Sequence, residues 1–150
     1  MRITLLATLA AGALLLAACS SSNTGKGGKV GIDLQEWSVK SDTQSQPKGD
    51  VIFNVKNQSA DLQHEFKVIR TDLAPESLPT KSDGSVDEGA GGIDVVGKIS
   101  KLDTGDDTSG TFTLKAGKYV LICNIVGDDK NGQQVSHYKQ GMHTAFTVTD

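Results

Sequence analysis

Short runs of alternating apolar and polar residues constrain this chain more than any other feature. Val30, Ile32 and Leu34 alternate in KVGIDL, with Trp37 and Val39 after a kink. Val51, Phe53 and Val55 alternate in DVIFNVK, and His64, Phe66 and Val68 in HEFKV. Phe112 and Leu114, then Phe146 and Val148, repeat the pattern near the C-terminus, and IDVVGKI (93–99) adds a further strand. A period of two places successive side chains on opposite sheet faces. In KYVLIC, Tyr119, Leu121 and Cys123 share one face and Val120 and Ile122 the other. A strand apolar on both faces belongs in the middle of its sheet. No long stretch has helical periodicity.

Turn signals separate the runs at Pro47-Lys48-Gly49, Asp83-Gly84, Thr104-Gly105 and Ala116-Gly117. Residues 71–92 carry two prolines and several acids and read as a long crossing connection, with one helical turn at APESL. Seven to eight short strands in about 120 residues predict an all-β, antiparallel Greek-key sandwich or barrel.

The N-terminus lies outside that domain. A lone Arg2 precedes the apolar run ITLLATLAAGALLLAA, which is short for a bilayer span and fits a secretory signal. Leu16-Ala17-Ala18-Cys19 followed by three serines resembles a bacterial lipobox. The expectation is a signal peptide over 1–18, a lipidated Cys19, a flexible tether over 19–28 and a folded domain over 29–150. A lipid anchor adds about 0.8 kcal/mol per buried CH₂, so the domain is expected at the periplasmic or outer face of a bacterial membrane. Loss of Arg2 with the signal takes the formal charge from −3 to −4. That balance, with no basic cluster, argues against nucleic-acid binding.

Cys19, once lipidated, leaves Cys123 without a disulfide partner, and Met142 becomes the only methionine once Met1 is lost. Such scarcity calls for a role. His64 opens a strand, Cys123 closes one, and His137 and Met142 lie in the loop before the last strand. A sandwich can bring all four to one pole. Two imidazoles, a thiolate and a weak thioether form the ligand set of a blue-copper electron-transfer site. Taken singly, each has a plainer reading: a packed strand-end histidine, an inert buried thiol, an exposed loop histidine, a core methionine. His143 is expected to be exposed, since neighbours on an extended segment point opposite ways.

NQSADLQHEF, YVLICNIVG and HYKQGM resemble the cupredoxin pattern over residues 30–150, especially that of small bacterial cupredoxin-like lipoproteins. The resemblance implies a β-sandwich holding one copper ion that cycles between Cu(I) and Cu(II), with His64, Cys123, His137 and Met142 as metal ligands. Such a carrier is expected to be a monomer that docks its redox partner proteins transiently. No enzyme is expected, because the three histidines offer no second metal centre with an open position and no Ser-His-Asp spacing, phosphate loop or acid pair stands out. The alternative is a copper chaperone or scavenger serving a membrane oxidase. A metal-free adhesion or assembly module would leave the ligand coincidence unexplained.

One departure from the pattern stands out. The second histidine normally follows Cys-Asn-x-x-Gly closely, whereas here GDDKNGQQVS (127–136) intervenes. It reads as a solvated insertion, which a rigid scaffold tolerates at roughly 0.6 kcal/mol per doubling of loop length. Gly141 and the edge of His137 are expected in an exposed contact patch. Asn124 is a candidate for a dipole near the sulfur. Asn57 and Gln63 either form a turn or bond across the ligand loops.

Overall fold

A computed structural model describes residues 26–150; the signal segment, Cys19 and most of the expected tether lie outside them. Eleven short strands form in chain order: β1 Lys29–Gln35, β2 Ser38–Ser41, β3 Ser45–Pro47, β4 Gly49–Asn57, β5 His64–Arg70, β6 Asp94–Leu102, β7 Asp107–Leu114, β8 Gly117–Ile122, β9 Val126–Asp128, β10 Gln134–Ser136 and β11 His143–Thr149. Backbone pairing already begins at Lys26, which bridges Gly49. Among the described residues the one helical element is the 3-10 turn Pro75–Ser77, where the Ala-Pro-Glu-Ser-Leu stretch predicted it. None of the described helices is long and apolar enough to cross a membrane.

Two sheets face each other, in the orders β2-β1-β4-β7 and β3-β11-β8-β5-β6, with β9 and β10 as a separate hairpin. Most pairings are antiparallel. Two depart from the purely antiparallel expectation: β1 runs parallel to β4, and β3 parallel to β11. Both pairs join strands that are not hairpin neighbours, and alternation within a strand carries no information about such distant partners.

The core follows the alternation. Val30, Ile32 and Leu34 of β1 and Val51, Phe53 and Val55 of β4 meet Phe66, Val68, Leu121 and Phe146 of the other sheet. Phe53 sits among Phe66, Phe146 and Phe112, with ring centroids 5.2, 5.6 and 6.1 Å away. Full burial of one such ring stabilises by roughly 1.5–3 kcal/mol.

β8 lies between β11 and β5, as its two apolar faces require. Tyr119, Leu121 and Cys123 face the inter-sheet core. Val120 and Ile122 face a second cluster with Ile69, Leu78, Val86 and Tyr138. Leu78 and Val86 come from the 71–92 connection, which therefore roofs the outer face of this sheet. The Tyr138 hydroxyl fixes the roof by donating to Pro75 O (2.8 Å) and accepting from Leu78 N (2.9 Å).

Candidate metal centre

Three of the four predicted residues converge at one pole. His64 Nδ1 and His137 Nδ1 lie 3.1 Å apart, and Cys123 Sγ lies 3.7 Å from the first and 3.4 Å from the second. A point equidistant from three atoms so spaced lies about 2 Å from each, close to a metal–nitrogen bond and a little short of the roughly 2.3 Å of a metal–thiolate bond. His64, Cys123 and Met142 are fully buried and His137 is 2% exposed.

The backbone sets this geometry. β5 opens at His64, and its register against β6 shifts between His64 and Phe66. Such an irregularity frees a backbone group from the ladder. The Glu65 N–H points instead at Cys123 Sγ, 3.4 Å away. The ligand loop is tied by a chain of bonds: His137 N donates to Ile125 O (2.9 Å), Met142 N to His137 O (3.1 Å), and Cys123 N to Met142 O (3.1 Å). Met142 is thereby held against the strand end that carries the thiol.

The stretch 127–136 is a hairpin rather than an unstructured excursion. β9 and β10 pair Gln134 with Asp128, Val135 with Gly127 and Ser136 with Val126. Asp129 Oδ1 accepts from Asn131 N and Gln133 N at 2.8 and 2.9 Å and closes the tip. The hairpin leaves at Val126 and returns at Ser136, so His137 bonds Ile125 as if the arm were absent. That is why the insertion does not displace the ligand.

His64 is placed to bind metal through Nδ1, which faces Cys123 and His137. Ser59 Oγ lies 2.5 Å from His64 Nε2, and in the tautomer protonated at Nε2 the hydroxyl accepts that proton and Nδ1 keeps a lone pair. Ser59 is positioned by Asn57, a fully buried side chain. Asn57 Oδ1 accepts from Ser59 N, and its Nδ2 donates to Leu62 O and Leu102 O, all at 2.9 Å. Asn57 thus bonds across the loops, as one of its two expected readings had it. Gln63 reaches Asp103 at the surface, 2.6 Å away.

Burial, and next the neighbouring His137, push His64 down to about 4, with Glu36 opposing weakly; burial alone lowers His137. Burial pushes the Cys123 thiol up to about 12, offset in part by backbone N–H groups of Glu65 and Ile125. His64 is therefore neutral in mildly acid solution, and a metal must displace the thiol proton as it binds.

The His64 shift has a sign that can be tested. Its folded value lies below the usual 6.5, so the unfolded chain takes up a proton first. The stabilisation is complete above pH 6.5 and is lost as the pH falls through about 4, by roughly 3 kcal/mol. Urea midpoints of the copper-free protein should fall between pH 7 and 4; a flat profile would show that His64 is solvated.

Other predicted positions differ from expectation. His143 does not join the cluster, but it is half-buried rather than exposed, its ring 5.2 Å from that of Tyr138. The Asn124 amide turns away from the sulfur. It donates to Val86 O (3.1 Å) and Glu88 Oε1 (2.9 Å) and accepts from Val86 N (2.6 Å), pinning the roof to the strand end. Glu88 also bonds Lys67, which lies 3.0 Å from Glu65. The edge of His137 is not at the surface, because Trp37 covers it with ring centroids 5.2 Å apart and planes at 77°.

Similar proteins agree with this architecture. No curated protein matches the sequence. Auracyanin from Roseiflexus castenholzii superposes with a TM-score of 0.56 at 19% identity, over 83% of this chain and 98% of that one. Rusticyanin from Thiobacillus ferrooxidans gives 0.55 at 15%, over 83% and 79%. Auracyanin A from Chloroflexus aurantiacus, described as a blue copper protein, gives 0.50 at 19%, over 81% and 100%. At these identities the likeness establishes the fold, a cupredoxin-like sandwich. The donor set fits a single type 1 copper ion. The model of the Sulfocyanin (SoxE) domain matches residues 46–149, from β3 to the end of β11. The chain belongs to the sulfocyanin domain family of the cupredoxins.

Proposed function

We propose that this protein is a one-electron carrier held at the outer or periplasmic face of a bacterial membrane. His64, Cys123 and His137 would hold the copper, with Met142 as a fourth and weaker donor. The carrying observation is the triangle of donor atoms, with sides of 3.1 to 3.7 Å, locked by backbone bonds and shut away from water. A bound copper ion supplies the redox couple, and the protein's part is to keep the same ligand positions in both oxidation states. Four protein donors leave no open position for a substrate, so the protein is a carrier and not an enzyme.

The same burial disfavours a copper chaperone. Handing copper on requires ligands within reach of the acceptor's, and none of the four is more than 2% exposed. The tether rests on Leu16-Ala17-Ala18-Cys19 and the serines after it. Docking of the redox partner is expected to be transient, as such small interfaces are.

One preparation tests both halves. Protein recovered from membranes of cells expressing the full chain, loaded with Cu(II), should show an intense visible charge-transfer band and a reversible one-electron couple. A colourless protein overturns the carrier; recovery from the soluble fraction alone overturns the tether.

A further inference from the structure

With every ligand buried, something else must connect the copper site to a partner. We propose that Trp37 is the contact through which electrons pass between the copper site and a docked redox protein. This rests on the carrier reading and names the surface which that reading leaves open.

Trp37 is the second residue of the two-residue turn joining β1 to β2, whose register pairs Gln35 with Ser38. One edge contact places its indole on the imidazole of His137. The ring is half-buried, and it also lines a cleft of about 460 Å³ bordered by Ala60 and Leu62 of the loop before His64 and by Asp129 and Asn131 of the hairpin tip. It therefore spans the distance from a ligand to solvent. Tunnelling decays exponentially with distance, and more slowly through packed atoms than across a gap. An indole filling the space between ligand and surface is the short route.

The backbone supports a role beyond packing. Trp37 has φ of +25°, a genuine outlier for a bulky side chain. Gly or Asn at the second turn position adopts positive φ without that cost. The conformation is held from the ligand side. Gly141, next to Met142, has φ of +117°, and a Cβ there would lie 3.2 Å from Trp37 O. Backbone strain persists where the surroundings impose it and clusters at functional sites. Trp37 also lies before the matched residues 46–149, so the family assignment does not extend to it.

The test compares oxidation of the Cu(I) protein by the substitution-inert tris-phenanthroline complex of cobalt(III). One electron moves from copper(I) to cobalt(III), giving copper(II) and cobalt(II), with no proton transferred and no ligand exchanged. Trp37→Asn, which tolerates the left-handed turn, and Trp37→Leu should each slow the reaction by at least about tenfold at equal driving force. Trp37→Phe should keep most of the rate, and the visible band and reduction potential should be unchanged in all three. Trp37 is the single tryptophan of the chain, so a readout independent of copper exists: acrylamide should quench the emission of the copper-free protein.

Equal or faster rates in the ring-less variants would make Trp37 a shield and overturn the proposal. So would loss of copper from both of them, which would assign the ring to holding the site, and so would emission that acrylamide cannot reach. A wild-type protein that is colourless or inert to the cobalt complex would sink the carrier reading and this proposal together. A competent wild type with indifferent variants would sink this proposal alone.

Discussion

Cys123→Ser is expected to abolish the visible band of the copper-loaded protein while leaving the fold in place. The band arises from electron transfer between thiolate sulfur and copper, and Cys123 is the one cysteine among the described residues. The structural cost is small by comparison. Serine is close to isosteric, and its hydroxyl would lie beside the Glu65 N–H that now points at the sulfur. A buried hydroxyl with a hydrogen-bond partner avoids the 1–3 kcal/mol penalty of an unsatisfied group, so a loss of about 1 kcal/mol is expected. The two readouts separate the possible roles. Loss of colour with unfolding near wild type assigns the sulfur to the metal. Retained colour would show that the thiolate is misassigned. Loss of colour with collapse of the copper-free fold would make Cys123 a packing residue first.

Much of this arrangement could be read before any coordinates, for a physical reason. A strand that buries one face declares itself through alternation, and β8 declares its central place by being apolar on both faces. The candidate ligands are legible through scarcity: one methionine beyond Met1 and one cysteine beyond Cys19 fall near a histidine in a short segment. What stayed hidden depends on pairing at a distance. The β9–β10 hairpin has only three residues per strand and a polar sequence, so its Asn131-Gly132 turn signal had no alternating flanks to support it. The parallel pairings leave no local trace. Nor does a roof: Val86 and Leu78 are ordinary loop residues until Tyr138 and Asn124 are seen beneath them.

The largest stability effect outside the core is expected from Asn57→Ala, and its cause is the same non-local wiring. One amide ties three places: Ser59 N and Leu62 O in the loop before His64, and Leu102 O at the end of β6. Alanine would leave one buried donor and two carbonyls without partners. At about 1–3 kcal/mol each, and not additive, the loss should be roughly 3 kcal/mol, read as a lower urea midpoint at constant slope. A loss below about 0.5 kcal/mol, the range of ordinary surface changes, would show that water replaces the amide readily. The same substitution should loosen the site. Ser59 Oγ lies within hydrogen-bond distance of His64 Nε2, and Ser59 is itself placed by Asn57 Oδ1. Without that anchor the His64 ring loses its hydrogen-bond partner at Nε2 and one corner of the triangle becomes mobile, so copper should bind more weakly and the visible band should broaden. A variant destabilised as expected but with an unaltered band would show that the copper ligands hold His64 in place without help from the loop.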